Sequence, residues 1–165
     1  MSTNAKQRPL ARRLQARAMG IVNVPMRRIL GAPFPTPLGK RLMLATITGR
    51  RSGRIYRQPL SYVEDGNVLL TPGGGRWTLN LVDGPAVPIR LRGRDLVARP
   101  ELISDPDEVQ VLLARIRAGN PGAKRFIAIP IDANGHFDEV RLQTAIQHGF
   151  RIVRWHREPD GQRAF

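Results

Sequence analysis

The chain has no cysteine. That removes disulfides, thiol nucleophiles and thiolate metal sites together, and it leaves the redox compartment open. It has no acidic residue before Glu64. Aromatic residues make up only 5% of it, so Trp77 and Trp155 stand out. No apolar run approaches the roughly 18 residues that a membrane-spanning helix needs. The stretch "AMGIVNVPM" at 18–26 is short and is interrupted by Asn23 and Pro25, so it does not read as a secretory leader. A cytoplasmic protein is expected.

Standard catalytic constellations are also scarce. His136, His148 and His156 have no metal-ligand spacing with one another or with a carboxylate, so no metal is expected. The four serines lack a nucleophile-elbow context, and there is no P-loop. "TPGGGRW" at 71–77 has the wrong spacing for a dinucleotide fingerprint and no βαβ unit around it.

What remains is a chain of 165 residues, 41% hydrophobic, enough for one packed domain. Its net charge of +14 is unevenly placed. The first 63 residues hold 13 Lys and Arg against no acid, and the rest hold 14 against 13. So one-sided a field suits an anionic partner. Arginine supplies all but three of the 27 basic residues, and its planar fork grips phosphate and carboxylate in pairs.

Residues 1–39 read as a basic N-terminal helix and a proline-rich linker. "PLARRLQARA" sets Leu10 and Leu14 four apart with arginines on the other faces, and "VPMRRILG" adds a turn ended by Gly31. By the logic of amphipathic helices, residues 1–31 are expected to touch an anionic membrane surface, which would place the protein peripherally at the inner membrane face. Sequence-specific nucleic-acid binding is not expected. A single-strand binder needs an aromatic platform, and the first 63 residues carry only Phe34, Tyr56 and Tyr62.

Residues 40–165 read as a single domain. "LMLATITG", "IYRQPLSYV", "VLLTP", "VPIRLRG", "LVARPELI", "RFIAIPI" and "FRIVRW" have strand character, and Asp65-Gly66 marks a hairpin. Val87, Ile89 and Leu91 alternate with polar positions. "SDPDEVQVLLARIRAG" carries helix start and stop signals, and "FDEVRLQTAIQHG" ends a second helix at Gly149. About six mostly antiparallel strands with flanking helices predict an α+β fold built on a small β-barrel.

Two stretches invite a ligand. The first, "GRRSGRIYR", has four arginines between positions 50 and 57, with Ser52 and Gly53 shaping a turn whose amides and guanidinium forks suit a phosphate. A soluble charged hairpin would look the same. In the second, "TPGGGRWTLNL", Gly73, Gly74 and Gly75 admit a close ligand, a helical turn is expected from Arg76, and Trp77 and Asn80 share a face of it. A wide loop with a buried tryptophan would also fit.

The order and spacing of "TGRRSGRIYRQPLSYVEDGNVLL", "GGGRWTLNL", "VPIRLRGRDLVARPELI" and "GFRIVRWHRE" resemble the deazaflavin-dependent nitroreductase family, within the split-barrel flavin and deazaflavin oxidoreductases. The resemblance spans roughly residues 40–155. It implies a split β-barrel and coenzyme F-420, with FMN as the alternative. It implies hydride transfer to a quinone, nitroaromatic or other unsaturated small molecule. It places Arg51, with Ser52 and Gly53, and Arg57 near the cofactor's phosphate. Gln58, Pro59 and Leu60 would lie beside the ring, followed by Gly73 to Gly75, Trp77 and Asn80. Tyr56 stands where members carry arginine, so strand register decides which face Arg57 takes. With the cofactor carrying the hydride chemistry, Tyr56 or Tyr62 is expected on the acceptor side as a proton donor. The same superfamily offers a different reading, a non-catalytic binder of FMN, heme or a lipid. A monomer and a homodimer are both compatible with the sequence.

Overall fold

The computed structural model describes residues 25–159 except Phe34 and Ala128. The basic helix expected around residues 9–18 lies outside them. Seven strands form one antiparallel sheet in the order β2-β1-β5-β6-β7-β4-β3. They are β1 (Leu42–Thr48), β2 (Ile55–Ser61), β3 (Val63–Asp65), β4 (Val68–Gly73), β5 (Val87–Leu91), β6 (Arg94–Ile103) and β7 (Arg151–Arg157). The sheet curls into a split barrel with helices against it, and the α+β expectation holds.

The strand count exceeds six because "IYRQPLSYV" is not one strand. It breaks at Tyr62, and its two halves become β2 and β3, the opposite edges of the sheet. One continuous segment therefore crosses the seam where the barrel closes. Polar groups fasten that seam. The Tyr62 amide donates to Arg41 O at 3.1 Å. Buried Asn120 donates from Nδ2 to Arg41 O at 3.2 Å and to Tyr62 O at 3.3 Å.

Strand alternation sorts side chains into two cores. Met43, Ala45, Ile47, Leu60, Leu69, Ile89, Val153 and Trp155 point into the barrel. Leu70, Ile103 and Ile152 point outward, onto α2 (Pro106–Gly119) and α3 (Glu139–Gln147). Both helices begin where the sequence signals put them. Asp105 caps α2 by accepting from the Glu108 amide at 2.9 Å, and Asp138 caps α3 by accepting from Arg141 N at 2.9 Å.

"RFIAIPI" is not a strand. Pro121–Phe126 forms a 3-10 turn, and buried Ile127 and Ile129 pack with the outer core instead of joining the sheet. The proline-rich linker is also more ordered than expected, since Pro37–Lys40 makes a 3-10 turn. A short helix, α1, covers residues 25–30 and ends at Gly31 as expected. Its Leu30 is buried, and the Gly31 carbonyl accepts from Arg90 Nη1. Among the described residues no helix is long and apolar enough to cross a membrane.

The antiparallel order gives the barrel two distinct ends. One carries the β1–β2 turn, the glycine run after β4 and the loop before β5. The other carries the β3–β4 and β5–β6 hairpins, whose Gly66 (φ 60°), Arg92 (φ 51°) and Gly93 (φ 81°) adopt the left-handed conformation that two-residue hairpin turns require.

Candidate functional site

Both stretches singled out in the sequence meet at the first of these ends. The β1–β2 turn is closed by two backbone bonds, Gly49 N to Arg54 O at 2.7 Å and Gly53 N to Gly49 O at 2.8 Å. Ser52 Oγ accepts from Arg54 N at 3.3 Å. The other stretch becomes a 3-10 turn, Arg76–Leu81, entered through Gly75 at φ 90°. Asn80 leaves that turn and accepts the Arg50 amide on its Oδ1 at 3.0 Å, thirty residues away in sequence. A cavity of about 410 Å3 lies between the two stretches. Ile47, Val82, Pro85 and Val87 give it apolar walls, and Thr46, Thr48, Arg50 and Asn80 give it polar edges.

Register settles where the remaining candidates face. Ile47 pairs with Tyr56, Ala45 with Gln58 and Met43 with Leu60, so Tyr56, Gln58 and Leu60 share the inward side of β2. Thr46 pairs with Arg57 and Leu44 with Pro59, on the outward side. Arg57 therefore points away from Tyr56 and meets Arg27, Arg28 and Gly31 of the α1 region around a separate outer groove. Arg51 and Ser52 sit exposed in the turn, and Gly53 lines the cavity. Gly73 is wedged between Thr78 and Val153, while Gly74 is open. Trp77 is half-buried against the barrel core.

Tyr62 is elsewhere. It is 3% exposed, at the seam, and its hydroxyl donates to Gly39 O at 2.7 Å. It lies near the opposite end of β1, a strand length of about 20 Å from the cavity. Burial pushes its phenol up from the ordinary value, against the opposing pull of Arg92. Tyr62 is therefore not among the residues brought to this cavity, and its hydroxyl is engaged at the seam. Tyr62→Phe is expected to lower stability by about 1 kcal/mol in denaturant unfolding and to leave cofactor affinity unchanged. A tenfold weaker affinity would return Tyr62 to the site.

The charges at the cavity end are mostly arginine, with Asp83 the one acid among the residues lining the cavity. Among the described residues, Arg50, Arg51, Arg54, Arg57 and Arg76 pair with no carboxylate. Arg90, Arg92, Arg99, Arg115, Arg154 and Arg157 all do. Exposed guanidinium groups around a turn rich in backbone amides can receive an anion. The histidines are occupied away from it: His156 with Glu101 at 2.8 Å, His148 with Thr144 O at 2.7 Å, and His136 beside Asp132. Among the described residues no group of three or more His, Asp or Glu side chains is placed to hold a metal.

The cavity supplies an apolar slot with polar edges beside an arginine-rich turn. These are the features that a flat, phosphate-bearing ring cofactor needs, and the residues fit coenzyme F-420 in that respect. Fold and site together define a split-barrel protein of the flavin and deazaflavin oxidoreductase class. The match to the F-420H2-dependent quinone reductase family covers residues 22–129, and the chain belongs to that family. Membership brings F-420 as cofactor and reduction as the class of chemistry.

No curated protein matches the chain. Among solved structures, it is similar to a protein of unknown function from Agrobacterium tumefaciens, at 18% identity and a TM-score of 0.52. That match covers 82% of this chain, which spans only 55% of the other protein's length. It is also similar to an F-420-H2 dependent reductase, at 15% identity and a TM-score of 0.47, over 70% of this chain and 93% of that one.

Two cavity residues carry little sequence signal. Arg50 is one of a run of arginines, although its amide makes the bond that joins the two stretches. Asp83 lines the cavity, and its one signal is the turn sequence "VDGP", which begins two residues beyond Asn80.

Proposed function

We propose that the protein binds F-420 between the β1–β2 turn and the Arg76–Leu81 turn and reduces a quinone, a nitroaromatic or another unsaturated small molecule. Bound F-420H2 supplies the hydride; the protein binds, orients and encloses. The observation that carries the reading is the Arg50 N–Asn80 Oδ1 bond, which holds the arginine-rich turn against the turn bearing Trp77. Arg51, Ser52 and Gly53 would hold the phosphate. The apolar wall from Ile47 to Val87 would take the ring. Tyr56, inward-facing on β2 yet 45% exposed, would offer a proton to an acceptor.

Titration with F-420 and with FMN, followed by tryptophan fluorescence, tests this. Trp155 is fully buried, so the response should come from half-buried Trp77. F-420 should bind and FMN should not. Arg51→Ala should weaken F-420 by about tenfold or more. Arg57→Ala should have a smaller effect, since Arg57 faces outward. Tight FMN binding without F-420 binding would favour the alternative split-barrel binder. The reverse order of the two arginine variants would move the phosphate to the outer groove.

The outer groove, with Arg27, Arg28 and Arg57 all exposed, also favours the anionic-surface contact proposed for residues 1–31.

A further inference from the structure

Asp83 is out of place by charge. It is exposed and lines a cavity that Arg50 also lines, where an anion-binding site would gain nothing from a carboxylate. It is the one acid among the residues lining that cavity. The two acids that precede it in sequence are committed at the other end of the barrel, Glu64 to Arg92 and Arg157, and Asp65 to Arg115. Among the described residues, no hydrogen bond or ion pair engages the Asp83 carboxylate.

Its backbone is held as well. Asp83 has φ 71° and Gly84 has φ 59°, two successive left-handed residues. The Gly84 amide donates to Leu81 O at 3.2 Å, and Arg99 Nη1 reaches Gly84 O at 3.4 Å. Asp tolerates this conformation better than most residues, so turn chemistry alone would explain an Asp-Gly pair. It says nothing of the ligand that an exposed carboxylate and a guanidinium lining one cavity would match.

The lining of this one cavity includes Arg50, whose guanidinium is a donor, and Asp83, whose carboxylate is an acceptor. A ligand that matches both is anionic at one end and a hydrogen-bond donor at the other. The deazaflavin ring ends in a pyrimidinedione whose imide nitrogen carries a hydrogen between two carbonyls. We propose that Asp83 is a ring-orienting residue: its carboxylate accepts the imide N–H of the bound deazaflavin while the arginine turn holds the phosphate. This inference rests on the cofactor reading above and deepens it.

The sign of one measurement separates the two explanations. A bystander carboxylate in an anion site repels the cofactor, so removing it should tighten binding. A carboxylate that accepts a ring N–H should weaken binding when lost. Asp83→Gly is the informative variant, because glycine keeps the left-handed backbone and deletes only the side chain. The experiment measures dissociation constants by fluorescence titration for F-420 and for a deazaflavin analogue methylated at the imide nitrogen, on the wild type, Asp83→Gly and Asp83→Asn. Asp83→Gly should weaken F-420 by about tenfold and leave the methylated analogue unchanged. Asp83→Asn, which keeps an acceptor oxygen, should fall between. Unchanged or tighter F-420 binding by Asp83→Gly would overturn the proposal. Equal weakening of both ligands would also overturn it, by assigning Asp83 to the loop alone. Failure of the wild type to bind F-420 would instead remove the cofactor reading, and this inference with it.

Discussion

Gly49→Ala is expected to weaken F-420 binding by about a hundredfold while the barrel stays folded. A Cβ at this position would meet Ser52 Oγ at 2.6 Å, Tyr56 Cε2 at 3.0 Å and Arg54 O at 3.4 Å. The serine can rotate away, but only by releasing the Arg54 amide it accepts from. The Arg54 carbonyl cannot retreat without stretching the 2.7 Å bond from Gly49 N that closes the turn. Arg50 follows immediately, so any shift is passed to its bond with Asn80. Overpacking of this kind costs about 1–3 kcal/mol. It falls on the turn, leaving the inner core untouched. A cofactor titration paired with a thermal melt checks both halves. Unchanged affinity would mean that the turn is not part of the cofactor site.

Trp155→Ala has the largest expected effect on stability, a loss of about 3–5 kcal/mol. Trp155 is fully buried inside the barrel, on the strand that bridges β6 and β4. Its Nε1 donates to Thr71 Oγ1 at 3.0 Å, and Thr71 is itself fully buried. Alanine would leave a cavity and a hydroxyl deprived of its donor, and each is destabilising. Urea unfolding measures the loss from the shift in midpoint at constant slope. A shift worth less than about 1 kcal/mol would mean that the barrel interior collapses readily around the missing ring. Trp155→Phe should lose less, since it fills most of the volume and forfeits only the hydrogen bond.

Local signals carried much of the fold into the sequence. The alternation of β5, the caps of α2 and α3 and the Asp65-Gly66 hairpin each depend on neighbours a few residues apart. The breaks from expectation have a different origin. "IYRQPLSYV" has strand character throughout, but barrel closure requires a crossing at Tyr62. The partners that fix the crossing, Gly39, Arg41 and Asn120, are 21 to 58 residues away. "RFIAIPI" has the composition of a strand, yet Ile127 and Ile129 satisfy their burial against the α2 side of the sheet, and Pro130 limits ladder bonding.

The site was legible as two separate stretches. Their meeting was suggested by family resemblance, and the physical link is a single amide–amide bond that sequence cannot reveal. Arg57 shows the limit most clearly, since its face of β2 depends on pairing with Thr46, which its own neighbours in sequence do not specify. The place of Asp83 beside Arg50 in one cavity likewise depends on residues 33 positions apart.

The place of β7 in the sheet bears on how the chain is made. β7 is the last of the described strands in chain order, yet it is central in space, between β6 and β4. Before residue 157 is synthesised, β1, β2, β5 and β6 can assemble as one piece and β3–β4 as a hairpin, each with an open edge where β7 belongs. Pairing β4 with β7 joins residues 68–73 to 151–157, a long loop to close. During synthesis those edges are free to pair with other chains. A nascent chain of this protein therefore has no complete barrel until almost all of the described sequence has left the ribosome.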